Sequence, residues 1–213
     1  MQRLSATIGE RPLWLASSTH RGEDEIAIKA HRAALAADAR TLLILVPRHP
    51  ERADAIAALI ADAGLSLARR SRGEEIGATT QVYLADTLGE TGLWYALAPL
   101  TCLFGSFTPV GGHNPYEPAH AGSAILHGPL YANFEETYAE MNDAGAAREV
   151  ADAAALAEAV PALLAEPATL AGMRDAARAF AARQEDVLDA LCETLCAALA
   201  LAPPDEAAAR CPN

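Results

Sequence analysis

The chain has 213 residues, with 28 acidic against 16 basic side chains and a formal net charge of −12. That length supports one domain with a substantial core; no apolar run reaches the roughly 18 residues that span a bilayer, and residues 1–11 lack the apolar segment of a secretory signal. The acidic balance argues against nonspecific nucleic-acid binding, which rests on clustered lysine and arginine. Lys29 is the one lysine, so an anionic ligand has to be held locally by a few placed arginines and histidines. The four cysteines, Cys102, Cys192, Cys196 and Cys211, include no CxxC and no zinc-site spacing. Cys192 and Cys196, four apart on one face of a predicted helix, read as small buried apolar residues and not metal ligands, in a chain kept in a reducing, cytoplasmic setting with no metal and no cofactor.

Short aliphatic or β-branched runs alternate along the chain with longer segments of helical period, which predicts an α/β fold with a parallel, Rossmann-like sheet of about six strands flanked by helices. A strand is predicted over 13–17, followed by Ser17-Ser18-Thr19-His20 and a helix over 23–37 with an acidic first turn. The strand predicted over 41–46 runs into Pro47-Arg48-His49-Pro50 and a helix over 52–63. Strands over 65–70 and 81–85 precede Asp86-Thr87-Leu88-Gly89-Glu90, which opens a helix over 90–98. After a strand over 100–104 comes Gly111-Gly112-His113-Asn114-Pro115-Tyr116-Glu117, leading into a helix over 115–121, a strand over 123–127 and a helix over 133–143. Residues 152–201 are alanine-rich and helical, broken at Pro161 and Pro167, and 202–213 read as a disordered tail.

Four of these polar clusters fall at the carboxyl ends of predicted strands, where an open α/β sheet binds its ligands. In the glycine turn, Gly111 and Gly112 permit close approach of the main chain or positive φ. Asn114 suits an N-cap with Pro115 at the first helical position, and Glu117 lies in the first turn. The turn is therefore either a cradle for an anion and sugar hydroxyls or a capped helix after a glycine turn. Ser18 and Thr19 equally serve capping or ligand contact. Arg48, between two prolines, offers a fork for phosphate or carboxylate, against a surface salt bridge with Glu51. Leu88, Gly89 and Glu90 offer amides for a base or ribose, or a helix start favoured by the dipole. His113 beside the turn is a candidate proton donor to a leaving phosphate, while a lone His49 reads as structural. Neither GxGxxG after the first strand nor GxxxxGK[ST] occurs, which argues against a dinucleotide site and a P-loop.

The strings LASSTHRGEDE, LLILVPRHPER, ADTLGETGLWYALA and GGHNPYEPAHAGSAILHGP resemble, in order and spacing, the carboxyl-terminal half of the 3-deoxy-D-manno-octulosonic acid (Kdo) transferases, over roughly residues 10–200. The resemblance implies one Rossmann-like half of an inverting GT-B glycosyltransferase that moves Kdo from CMP-Kdo to lipid A precursor in lipopolysaccharide synthesis, at the cytoplasmic face of the inner membrane. It implies a donor-binding domain over 12–201 after a linker remnant over 1–11. By its motifs Pro47, Arg48, Leu88, Gly89, Glu90, Asn114, Pro115, Tyr116 and Glu117 contact CMP, with Ser18, Thr19, Gly112 and His113 in second rank. One departure is LFGSFTPVGGHNP, where the family usually has a second glycine before the serine, which puts the loop 105–108 in doubt. The family's base is a glutamate of the amino-terminal domain, which also carries the acceptor surface and membrane anchor. The expectation is then a piece of a longer chain or one half of a split protein, inactive alone, whose partners are CMP-Kdo and the amino-terminal GT-B domain. A noncatalytic nucleotide-sugar-binding or interaction module of the same fold is the alternative.

Overall fold

The computed structural model describes the backbone of residues 2–198 and the side chains of residues 3–183, 194 and 195. The elements in chain order are α1 (Gln2–Ile8), β1 (Leu13–Thr19), α2 (Glu23–Ala37), β2 (Leu42–Pro47), α3 (Ala53–Asp62), β3 (Leu67–Arg69), β4 (Val82–Leu84), α4 (Thr91–Leu97), β5 (Leu100–Leu103), α5 (Tyr116–His120), β6 (Ala124–His127), α6 (Glu135–Asp143), β7 (Ala147–Glu149), α7 (Ala153–Ala165) and α8 (Pro167–Ala198). The seven strands form one sheet in the order β3-β4-β2-β1-β5-β6-β7, and every neighbouring pair is parallel.

Because helices cover both faces, the central strands are apolar on both sides. Every residue of β2 is buried, and alternate residues serve opposite cores. Trp14, Ala16, Leu43 and Leu45 pack under α2, α3 and α7, whereas Leu13, Leu15, Leu42 and Ile44 pack with Trp94, Ala119, Tyr138 and Phe180 from α4, α5, α6 and α8.

The six expected strands are all present, and β7 is a seventh. Its sequence, Ala147-Arg148-Glu149, has one buried residue followed by two exposed ones, so it carries no apolar run to read; short charged edge strands of this kind discourage unwanted pairing. Residues 1–11, expected as linker, include α1, which docks through the buried Ile8. The expected break at Pro161 is absent: α7 runs through it, leaving the Ala157 carbonyl without its helical donor, while Leu156, Ala159, Val160 and Leu163 remain buried on the sheet. The break before Pro167 is present. Cys102 is buried. The side chains of Cys192 and Cys196, and the whole of 202–213, lie outside the described residues. No single described helix is long and apolar enough to cross a membrane.

The strand order places β1 in the middle, with β2, β4 and β3 on one side and β5, β6 and β7 on the other. The switch point therefore lies between the carboxyl ends of β1 and β5, where a crevice forms in a sheet of this topology.

Candidate functional site

One carboxylate ties the two sides of that crevice together. Glu23, the first residue of α2, is fully buried and accepts hydrogen bonds from the backbone N–H of His20 at 2.9 Å, Gly105 at 2.7 Å and Phe107 at 3.0 Å. The acidic turn does not cap α2, whose N-cap is Gly22 with no side-chain cap; Glu23 instead closes back onto the turn after β1 and anchors the loop after β5. Upstream of it β1 bulges: the register against β2 shifts between Ser17 and Thr19, and Ser18 sits at φ 61°, the one non-glycine residue of positive φ among those described. Strain of this kind persists where its surroundings enforce it. Here the Ser17 hydroxyl bonds the Tyr95 hydroxyl at 2.9 Å, and the Thr19 carbonyl accepts from Arg48 N–H and the Arg52 guanidinium. Arg52 also donates to one oxygen of the buried Asp24 carboxylate.

Around this frame the structure gathers histidines. Nε2 of His20 and Nε2 of His113 are 2.9 Å apart. Their rings are within 9° of parallel with centroids 5.1 Å apart, so they meet edge to edge. The His49 ring stands perpendicular to that of His20 at 5.7 Å. Arg48 is exposed and makes no side-chain ion pair among the described residues; Glu51 pairs instead with His49, at 3.6 Å. Burial first, then the nearby positive charge of His20, Arg48 and His49, holds the His113 imidazole down to about 4. His20 is lowered too, by burial, with Glu23 opposing and His49, Arg52 and Arg48 adding to the shift. The cluster is an electropositive patch that disfavours its own protonation.

The glycine turn supplies the second wall. Gly105, at φ 73°, leaves room for the His113 ring, which a Cβ there would meet at 2.7 Å; Gly112, at φ 82°, passes 3.1 Å from Tyr131 by the same measure. Asn114 Oδ1 accepts from Tyr116 N–H at 3.0 Å, and the Pro115 carbonyl already accepts from Ala119 N–H. Asn114 therefore caps α5 with Pro115 in its first turn, as the sequence predicts. Tyr116 packs over Phe180 of α8 at 6.0 Å. Glu117 is exposed, and its charge helps, after burial, to push the Tyr95 phenol up to about 12. On the other flank of the turn lies a cavity of about 540 Å³ lined by Pro109, Val110, Gly111, Leu130, Tyr131 and Asn133.

The third predicted cluster is built differently. Leu88 is 79% exposed and Gly89 takes φ 80°. The Glu90 carboxylate, however, is engaged by the Arg70 fork at 2.5 and 3.0 Å and by the Thr87 hydroxyl. That fork holds Glu90 below its ordinary range despite partial burial. This side chain positions the loop, and its amides and Leu88 are what face outward. The start of α4 packs near α5, since the two helices touch. Among the described residues no group of three histidines, cysteines or carboxylates has the geometry to hold a metal ion. His20 and His49 were under-read in the sequence. Each stands in a four-residue turn after a strand, and only the parallel pairing of β1, β2 and β5 shows that these turns converge.

No protein-family model matches the chain. Among curated proteins it is 42% identical over 156 residues to the 3-deoxy-D-manno-octulosonic acid transferase of Haemophilus influenzae, covering 73% of this chain and 36% of that protein. It is 43% identical over 179 residues to the Bordetella pertussis enzyme of the same name, covering 81% and 41%. The chain thus spans well under half the length of these relatives. Among solved structures, the crystal structure of the C-terminal CMP-Kdo binding domain of WaaA from Acinetobacter baumannii superposes with a TM-score of 0.80 at 35% identity, covering 84% of this chain and 94% of that one. The C-terminal domain of a group 1 glycosyl transferase from Francisella tularensis shares the fold at TM-score 0.61 and 11% identity.

Proposed function

The chain belongs to the 3-deoxy-D-manno-octulosonic acid transferase family, corresponding to the carboxyl-terminal half of its members, and from that membership we propose that it binds the sugar donor, CMP-Kdo. The observation that carries this reading is Arg48, exposed and without an acidic partner, standing with His20, His49 and His113 at the β1/β5 crevice next to the Asn114-capped turn. A site of this sign inside a chain of net charge −12 suits a placed anion.

In this reading Arg48 takes the phosphate or the Kdo carboxylate through its fork, with Pro47 fixing the turn. Glu117 accepts from ribose hydroxyls, while Asn114, Pro115 and Tyr116 hold that first turn in place. Leu88 and the amides of Gly89 and Glu90 lie against the base, and Ser18, Thr19, Gly112 and His113 line the floor. In the whole enzyme an acceptor hydroxyl attacks the anomeric carbon of Kdo, the bond from that carbon to the phosphate oxygen breaks, and CMP leaves. A general base takes the hydroxyl proton, and the positive groups here stabilise the charge gained by the departing phosphate. The base, the lipid A precursor site and the seat at the cytoplasmic face of the inner membrane are assigned to the amino-terminal half of the family's architecture.

Calorimetric titration with CMP and UMP tests the proposal. Saturable heat with CMP and a weaker response to UMP are expected; a folded protein giving no heat with CMP overturns it. Arg48→Ala and Glu117→Ala should each weaken CMP binding roughly 10- to 100-fold, the scale of one hydrogen bond to a charged group.

A further inference from the structure

The contact between His20 and His113 has a chemical requirement. With both Nε2 atoms 2.9 Å apart and the rings edge to edge, one nitrogen must carry a hydrogen and the other must offer a lone pair. A proton added to the bare nitrogen would set N–H against N–H. The pair then survives only if an acceptor comes between the rings.

Among the described residues the protein supplies none. Toward His20, α2 presents Glu23, whose two oxygens are committed to the backbone N–H groups of His20, Gly105 and Phe107. The turn after β2 presents Arg48 and His49, with Glu51 directed to His49. The start of α3 presents Arg52, itself bonded to the Thr19 carbonyl and Asp24. Toward His113 Arg48 and His49 act, together with His20, while the Tyr138 hydroxyl donates to the His113 carbonyl. Every charge near the bare nitrogen that is not already bonded is positive.

We propose that an oxyanion of the bound donor breaks the His20–His113 hydrogen bond, lies between the two rings, and enters together with one proton from solvent. The neutral pair becomes an imidazolium and an imidazole, both donating to the anion, and no covalent bond of the ligand changes in this step. The inference rests on the donor-binding reading above. It gives the two histidines a positioning role that Arg48 cannot fill: when the bond from sugar to phosphate breaks, the phosphate gains a charge beside a cation that arrived with it. The oxyanion is either the phosphodiester or the sugar carboxylate of the donor.

The test is calorimetry of the 213-residue chain at pH 6.5 in PIPES and in imidazole, buffers of different ionisation enthalpy. The probe is the methyl ester of CMP, a phosphodiester of constant charge over the range used; free Kdo, which has the carboxylate alone, is the second arm. Uptake approaching one proton per ester bound is expected, with affinity falling by up to tenfold per pH unit between 6.5 and 8. His113→Asn and His20→Gln should bind the ester more weakly and take up no proton, and a proton spectrum of the imidazole Hε1 resonances should show both rings titrating higher when the wild-type chain is saturated. Uptake with Kdo and not with the ester assigns the anion to the carboxylate. Ester binding with identical heat in both buffers, and no uptake with Kdo, overturns the proposal while leaving donor binding intact. Absence of ester binding removes the donor reading itself.

Discussion

Two charged regions lie at the carboxyl ends of the same sheet, and they are wired in opposite ways. Beyond β3 and β4, Arg69 is clamped between Asp86 at 2.8 Å and Asp54 at 2.5 Å. Asp86 also accepts from the Ser71 amide and hydroxyl, and Arg70 forks onto Glu90 under a cation–π contact with Trp94. Beyond β1 and β5, among the described residues, Arg48 has no acid, His20 meets both His113 and His49, and only His49 of the three forms an ion pair, with the exposed Glu51 at 3.6 Å. The first region spends its charges on itself and fixes loops. The second leaves them for a visitor. Under the donor-binding proposal, lack of partners and not density of charge marks the site.

The contrast is sharpest where its removal costs most. Asp86→Asn leaves the buried Arg69 with Asp54 alone, and breaking a buried pair of this kind destabilises by about 3 kcal/mol; thermal or urea unfolding should record that loss, with CMP affinity of the remaining folded protein close to wild type. Next in size is the effect of acid. His31 is fully buried and accepts from Trp14 Nε1–H through Nδ1 at 3.2 Å, and burial holds it down to about 4. It is neutral when folded and protonates near 6.5 when unfolded, so the unfolded state binds more protons as pH falls. Stability should drop between pH 6.5 and 4 by up to about 3 kcal/mol from this group, and His31→Gln should flatten that part of the profile. The smallest effect on folding belongs to the open region: Arg48→Ala should change stability by less than about 0.5 kcal/mol while the CMP titration weakens. A large stability loss for Arg48→Ala, or a large affinity loss for Asp86→Asn, would erase the distinction between the two regions.

The sheet was legible because buried parallel strands announce themselves as apolar runs: the residues of β2 and β6 could hardly read otherwise. β7 and α1 were not, since Arg148 and Glu149 face outward and α1 contributes little beyond Ile8. Pro161 misled because its penalty is local whereas the burial of Val160 and Leu163 is tertiary. The glycine turn could be read residue by residue, down to the Asn114 cap, because its chemistry is sequential. The convergence of His20, His49 and His113 could not, as it depends on which strand lies beside which. Nor could the sequence show that Glu90 is already engaged by Arg70, 20 residues away. The exposed apolar side chains among the described residues are Leu88, Val110, Leu130 and Leu195. Three of the four rim the strand ends, and the fourth, Leu195, lies on α8.

Glu23 sets a dimension. A carboxylate is rigid, and its Oε2 accepts from both His20 in the turn after β1 and Gly105 in the loop after β5, while its Oε1 accepts from Phe107 in that same loop. The spacing between those loops is thus gauged by a single functional group, much as a spacer fixes the opening of a jaw. A slot with its width set from within is preformed before any ligand arrives. Discrimination by size then follows from the backbone width of the slot, even as the side chains lining it rearrange.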